Sequence, residues 1–189
     1  MFTRRQWLVS AAAAAAIVPA LSANAEDRDV IDARVNLALG RMYKEIPESR
    51  ALSSRARAML VMPEVLKGGL LLGGSYGEGA LMVNNEARGY GPPAAGYYSV
   101  AAASFGLQAG IQTSSHVLFF MTDDAVDRFK RADGWEVGAD AEVTFPDKGL
   151  NAQLNSTLLN KPVVGLVFGQ DGVLLGASLE GAKYSPIAR

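Results

Sequence analysis

The chain contains no cysteine and only one histidine, His116, among its 189 residues. Without cysteine it can form no disulfide, no thiolate metal site and no cysteine nucleophile, and it offers no cysteine for a lipid anchor. A zinc site would need three carboxylates beside His116, a ligand set that zinc seldom uses. The formal net charge is −1, so no basic excess exists to neutralise nucleic acid phosphates. We therefore expect neither a metal, a cofactor nor nucleic acid as a ligand.

Glycine is scarce at the front of the chain. Between Glu26 and Leu66 only Gly40 occurs, whereas the other nineteen of the twenty glycines lie from Gly68 onward. Because glycine destabilises helices by about 1 kcal/mol relative to alanine, the front is predicted to be helical and the remainder to be strands and turns.

Two helices are predicted in the front segment. The first covers about residues 27–44, and the second begins after Pro47, which suits the first turn of a helix. The first helix carries an apolar stripe at helical spacing, formed by Ile31, Val35, Ala38, Leu39, Met42 and Ile46. Such a stripe can pack on a sheet or lie on a membrane surface, and the sequence leaves both readings open.

Short apolar runs alternate with glycine-rich turns from Ala58 onward, as is typical of an antiparallel sheet. We predict a strand ended by Pro63, a strand pair around Gly77 (residues 70–76 and 79–83), and a short helix capped by Thr122 over residues 122–131. Further strands are predicted at 96–100, 104–112, 117–121, 137–145, 162–168 and 173–181. The predicted fold is α+β, with N-terminal helices packed on a strongly twisted, glycine-rich antiparallel sheet whose barrel-like closure is left open.

The first 25 residues have the three-part order of a secretory signal peptide. Arg4 and Arg5 form a basic start, residues 7–20 are almost wholly apolar, and residues 23–25 provide the small side chains that a signal peptidase binds. The apolar part is shorter than the roughly 20 residues of a membrane span, which favours a cleavable signal over an anchor.

We therefore predict cleavage between Ala25 and Glu26, leaving residues 26–189 as a single domain that is periplasmic or secreted. The paired arginines also resemble a twin-arginine signal, which indicates a bacterial source and export of a folded protein.

One motif resembles a hydrolase nucleophile elbow. Residues 73–77 match G-x-S-x-G with Ser75 at its centre, but the elbow requires a helix after the serine. Here a second strand-like run follows, and His116, the one histidine, precedes an apolar run and is predicted at a strand edge. We therefore expect no catalytic residue, and a serine hydrolase using Ser75 is the least favoured reading.

Basic residues crowd the helical front. Six cations face two acids between residues 34 and 57, and a basic amphipathic segment can bind an anionic membrane surface. The predicted lipid-binding residues are Arg34, Arg41, Lys44, Arg55 and Arg57.

Several glycine-rich motifs resemble the SYLF family, also called the Ysc84-type actin-binding or lipid-binding domain. They are Ala58 to Pro63, Lys67 to Gly79, Pro93-Ala94 followed by Ser104 to Gly110, and Leu174 to Gly181. The resemblance spans about residues 33–187. It implies helices on a twisted antiparallel sheet and lipid binding, with phosphoinositides or actin as ligands of some members.

An exported bacterial protein would meet neither actin nor phosphoinositides, so the expected partner is an anionic phospholipid or membrane surface of the cell envelope. The alternative is a structural envelope protein that binds another protein and no lipid.

Overall fold

The computed structural model describes residues 27–69, 72–85, 89–90, 94–105, 110–144, 160–169, 172–173 and 179–189. The predicted signal peptide and its cleavage site lie outside these residues. Within them the chain forms three helices, which are α1 (Arg28–Glu45), α2 (Ser49–Arg55) and α3 (Asp123–Arg131). It also forms eight strands, which are β1 (Ala58–Gly69), β2 (Leu72–Val83), β3 (Gly96–Phe105), β4 (Gly110–Phe120), β5 (Trp135–Glu136), β6 (Val163–Gly169), β7 (Gly172–Val173) and β8 (Lys183–Ile187).

All eight strands belong to one antiparallel sheet in the order β5-β8-β3-β2-β1-β4-β6-β7. The sheet is strongly curled and carries helices on both faces, which confirms the predicted α+β fold. The long strands β1 to β4 form its centre, and the two-residue strands β5 and β7 form its edges.

Helix α1 packs its apolar stripe on one face of the sheet. All six stripe residues are buried, and they form a core with side chains of the central strands such as Met59, Phe119 and Phe168. Of the two readings left open by the sequence, packing on the sheet is therefore correct. Among the described residues, no helix has the length and apolar character needed to cross a membrane.

The opposite face of the sheet carries α3 and an aromatic cluster. Phe129 of α3 contacts Phe120, with ring centroids 4.9 Å apart, and Trp135 lies 5.5 Å from Phe129; Tyr98 and Tyr184 belong to the same cluster. Helix α3 begins as predicted, because the Thr122 hydroxyl accepts a hydrogen bond from the Ala125 amide and thereby caps its first turn.

A β-bulge lies in the middle of β1. Val61 pairs with Ala80 and Glu64 with Glu78, so β1 has one residue more than β2 between these pairs. Pro63 falls at the bulge, where its missing N–H removes no ladder hydrogen bond. The strand therefore continues through Pro63, and the prediction that Pro63 ends it was wrong.

The prediction of a strand pair around Gly77 was also wrong, because β2 runs unbroken from Leu72 to Val83. Gly77 is instead a point of close approach, since a Cβ atom there would lie 2.5 Å from the Glu64 carbonyl oxygen across the bulge. Glycine serves the contact between two strands here, and no turn is formed.

Three further strand predictions need correction. The predicted strand 104–112 takes in the end of β3 and the start of β4, which are two separate strands. The described part of the predicted strand 137–145 consists mostly of turns and isolated bridges after the short β5. In the 173–181 prediction the described residues give only β7 and a turn, while β8, which contains Pro186 and only two apolar side chains besides it, was missed.

Candidate functional site

An open cleft lies where the end of α2 meets the turn that follows β2. Its volume is about 590 Å³, within the range of small-molecule sites. The cleft is lined by Tyr43, Arg50, Ser53, Ser54, Arg55, Ala56, Arg57, Asn84, Gly89 and Tyr90. We call it the arginine cleft, because three guanidinium groups and no carboxylate occur among its described lining residues.

The floor of the cleft is fixed by hydrogen bonds to the last carbonyls of α2. The Ala56 carbonyl oxygen lies 2.6 Å from the Tyr90 hydroxyl and accepts a bond from Asn84 Nδ2 at 3.2 Å. The Tyr43 hydroxyl donates to Ser53 Oγ at 2.9 Å. Burial raises the pKa of Tyr90 well above its ordinary value, and the neighbouring Tyr43 adds to this effect, so the Tyr90 hydroxyl stays protonated and remains a donor.

The three arginines are held in different ways. Arg50 lies over the ring of Tyr43, with its guanidinium carbon 4.7 Å from the ring centroid. Arg55 ends α2 and is exposed. Arg57 is anchored by its backbone, because its N–H donates to the Phe120 carbonyl at 2.7 Å, and its side chain pairs with Asp123 at 3.7 Å.

The five predicted lipid-binding residues separate into two groups. Arg55 and Arg57 line the arginine cleft, whereas Arg34, Arg41 and Lys44 lie along α1. Arg34 pairs with Glu64 at 3.2 Å, and Lys44 is exposed. Their role in lipid binding stays a prediction.

Arg41 turns inward and connects α1 to the bulge of β1. Its guanidinium donates to Ser115 Oγ at 2.7 Å, and that buried hydroxyl donates to the Pro63 carbonyl at 2.7 Å. The guanidinium also lies over the ring of Phe168, 5.6 Å from its centroid. These contacts give Arg41 a structural role beside the one predicted for it.

Sequence reasoning missed most of the cleft. Arg50 belongs to the same basic segment and could have been chosen on charge alone. Tyr43, Asn84 and Tyr90 gave no signal, because only the folded chain brings the turn after β2 to the end of α2.

The nucleophile elbow suggested by residues 73–77 is absent. Ser75 lies within β2, where it pairs with Lys67 on one side and Ala102 on the other. The strand continues for eight residues after Ser75, to Val83, so the sharp strand-to-helix turn that exposes a hydrolase serine does not form.

His116 lies inside β4 between Met62 and Val167 and is buried, so its prediction at a strand edge was wrong. Its Nε2 is 3.0 Å from Ser114 Oγ, while its buried Nδ1 has no partner among the described residues. A catalytic serine–histidine pair needs a third group to orient the histidine, and none of the described residues fills that role.

The buried histidine predicts acid sensitivity. Burial lowers the pKa of His116 from 6.5 to about 4. Between these values the unfolded chain binds a proton that the folded chain does not, so stability falls as the pH drops from about 6.5 to about 4. From the shift of roughly 2.5 pKa units we expect a loss of about 3 kcal/mol.

Urea unfolding at pH 7 and pH 4.5 tests this, with His116→Gln as the comparison, because glutamine keeps a donor for Ser114 and does not titrate. The variant should lose clearly less stability than the wild type over this interval. Equal losses would contradict the assignment and would leave the acid sensitivity to carboxylates.

Comparison with known families agrees with the fold. Residues 101–187 match the family model Ysc84, described as "Las17-binding protein actin regulator". The matched segment begins within β3 and ends with β8, so it includes β4, α3 and the partner strands at both sides of the sheet. No curated protein matches the chain at a significant level. The match confirms the resemblance to the Ysc84, or SYLF, family over residues 101–187, and the domains of that family are generally non-catalytic and bind lipid or actin.

Proposed function

We propose that this chain is a non-catalytic, lipid-associating protein of the bacterial cell envelope that binds anionic phospholipid headgroups in the arginine cleft. The observation that carries the proposal is the convergence of Arg50, Arg55 and Arg57 on one cleft. The match of residues 101–187 to the Ysc84 family supports lipid association in general.

The chemistry of the cleft suits a phosphate group. Guanidinium groups bind phosphate through paired, charge-assisted hydrogen bonds. The Ser53 and Ala56 carbonyls at the end of α2, which would repel an anion, already accept hydrogen bonds from Tyr90 and Asn84. The remaining wall is formed by tyrosine rings and serine hydroxyls, which can contact the glycerol part of a headgroup.

The buried stripe of α1 changes how the membrane would be contacted. A stripe packed on the sheet cannot enter the headgroup boundary while the domain remains folded. Binding in the cleft is instead directed at headgroup charge, and such binding is screened by salt.

The compartment is part of the proposal and depends on residues 1–25. Their signal-like sequence supports export, cleavage between Ala25 and Glu26, and a periplasmic or secreted product. Mass spectrometry of the protein recovered from the envelope tests this, because a retained N-terminus would contradict cleavage at Ala25.

Vesicle flotation tests lipid association. We expect the exported protein to float with vesicles of phosphatidylglycerol and phosphatidylcholine at low salt, to float much less with pure phosphatidylcholine, and to dissociate at about 0.5 M salt, where charges are screened within roughly 4 Å. Equal flotation with both vesicle types would contradict headgroup selection.

The second candidate is a structural envelope protein that binds another protein and no lipid. The packing of the α1 stripe on the sheet favours it. No flotation with either vesicle type, together with stable co-purification of one envelope protein, would support this alternative.

A further inference from the structure

Four strands extend beyond the part of the sheet that α1 covers. The outer strand β6 pairs with β4 only as far as Ser115, and the outer strand β8 pairs with β3 only as far as Ala101. Beyond those residues β1, β2, β3 and β4 continue together and end at Gly69, Leu72, Phe105 and Gly110.

The two sides of this extension differ in character. On the side opposite α1, the paired residues Lys67, Ser75 and Gln112 are polar. On the α1 side Thr113, the partner of Leu66, is polar, and the apolar residues are Leu66, Tyr76, Ala101, Ala103 and Ile111. We call these five residues the distal apolar face. An antiparallel sheet normally turns its apolar side to the core and its polar side to water, and here none of the described elements covers the apolar side.

The exposure of this face is large. Ile111 is 84% exposed, Leu66 55% and Tyr76 44%. Among the described residues six large hydrophobic side chains are exposed. Three of them are those of the distal apolar face, and two others, Val30 and Leu37, lie on α1. A contiguous apolar patch of this kind marks an interaction site.

One flank of α1 borders the distal apolar face. Arg34 and Arg41 reach from this flank to Glu64 and Ser115, which lie where the covered part of the sheet ends. At about 100° per residue, Val30 and Leu37 fall within roughly 60° of Arg34 around the helix. The helix therefore forms an apolar wall beside an apolar floor.

We propose that the distal apolar face and the neighbouring flank of α1 bind a second copy of the chain. In this arrangement α1 of each copy lies on the distal apolar face of the other. A helix packs roughly 10 Å above its neighbour, so the floor beside α1 has the depth of one helix. Among the described elements, α1 lies beside the distal apolar face and no helix lies on it. A two-fold interface would supply a helix from the partner.

The area agrees with such a pairing. The floor measures about 20 Å along the strands and about 19 Å across four strands. The 18-residue helix α1 adds a flank about 27 Å long. Together these surfaces approach the roughly 800 Å² per partner of a standard stable interface.

Charge and shape favour a second copy over a bilayer. The distal apolar face carries no charge, Arg34 on its border pairs with Glu64, and Arg41 is bound to Ser115. The border therefore offers little attraction for anionic lipid. A flat bilayer would also meet the raised helix before it reached the recessed floor.

Sedimentation of the exported protein between about 1 and 100 µM tests the proposal, because dimers dissociate on dilution. We expect a concentration-dependent dimer that Ile111→Asp weakens at least about tenfold, since the interface would bury an unpaired carboxylate. Gln112→Asp is the matched control, because it places the same charge one residue away on the polar side. Leu37→Asp, on the helix wall, is a second variant should Ile111→Asp misfold.

A wild-type monomer over the whole range would overturn the proposal, as would equal behaviour of Ile111→Asp and Gln112→Asp. A monomer whose vesicle binding is lost in Ile111→Asp would assign the face to lipid instead. The inference is independent of the arginine cleft, so absence of headgroup binding would leave it standing.

Cross-linking tests the arrangement of the two copies. Because the chain has no cysteine, Leu37→Cys and Ile111→Cys each introduce a single thiol. A short bismaleimide added to their mixture should join unlike chains, whereas Gln112→Cys in place of Ile111→Cys should not. Equal yields in the two mixtures would contradict the proposed contact.

Discussion

Gly79→Ala is expected to destabilise the domain by about 3 kcal/mol. A Cβ atom on Gly79 would overlap the carbonyl oxygen of Val61 and lie 2.6 Å from Sδ of Met62. The Met62 side chain can move, but the Val61 carbonyl belongs to a central strand paired on both sides. Overpacking in a well-packed core costs about 1–3 kcal/mol and sometimes more, and this position lies at the upper end.

Thermal unfolding followed by circular dichroism measures the effect. A loss of about 3 kcal/mol corresponds to a lowering of Tm by roughly 10 °C for a domain of this size. Gly74→Ala is the matched control in the same strand, because its Cβ would lie 3.6 Å from the Ala102 carbonyl oxygen, an ordinary contact. A similar Tm for both variants would show that the bulge can shift to admit a side chain.

Reversing two charges in the arginine cleft is expected to abolish binding to anionic vesicles. In Arg50→Glu/Arg55→Glu two attractions become repulsions. At about 1 kcal/mol for each basic residue near an anionic surface, the total is about 4 kcal/mol, or roughly a thousandfold in affinity. Arg57 is left unchanged because its ion pair with Asp123 connects the residue before β1 to the start of α3.

The control is Lys67→Glu/Lys130→Glu, which changes the net charge equally at exposed positions outside the cleft. It should reduce flotation only slightly. An equal loss in both double variants would show that total charge governs binding and would argue against the cleft. Lys44→Glu tests separately whether the predicted contact on α1 contributes.

Local signals explain which parts of the fold could be predicted. The stripe of α1 and the Thr122 cap of α3 depend on residues only three or four positions apart in sequence, and both helices form as predicted. The strands around Pro63 and Gly77 were misread because a proline and a glycine are ordinary signals for a strand end and a turn. Their actual partners lie across the bulge, about fifteen residues away in sequence.

The candidate site was likewise predictable only in part. Arg55 and Arg57 could be chosen from local charge, but Tyr90 joins them only because β2 returns the chain to the end of α2. Arg41 was selected for its charge, and its contact with Ser115 depends on the bulge that the sequence did not reveal. Exposed sheet residues such as Ile111 gave no signal, since a sequence does not show which face a helix will cover.

The position of β8 in the sheet bears on the timing of export. This strand lies between β5 and β3 and contributes the buried Tyr184 to the aromatic cluster. The sheet therefore cannot be completed until residue 187 has been synthesised, about 80 residues after β3, and pairings of such high sequence separation form slowly. A translocation system that accepts only folded cargo would have to wait for this last pairing, whereas one that threads extended chains could engage the signal before it forms.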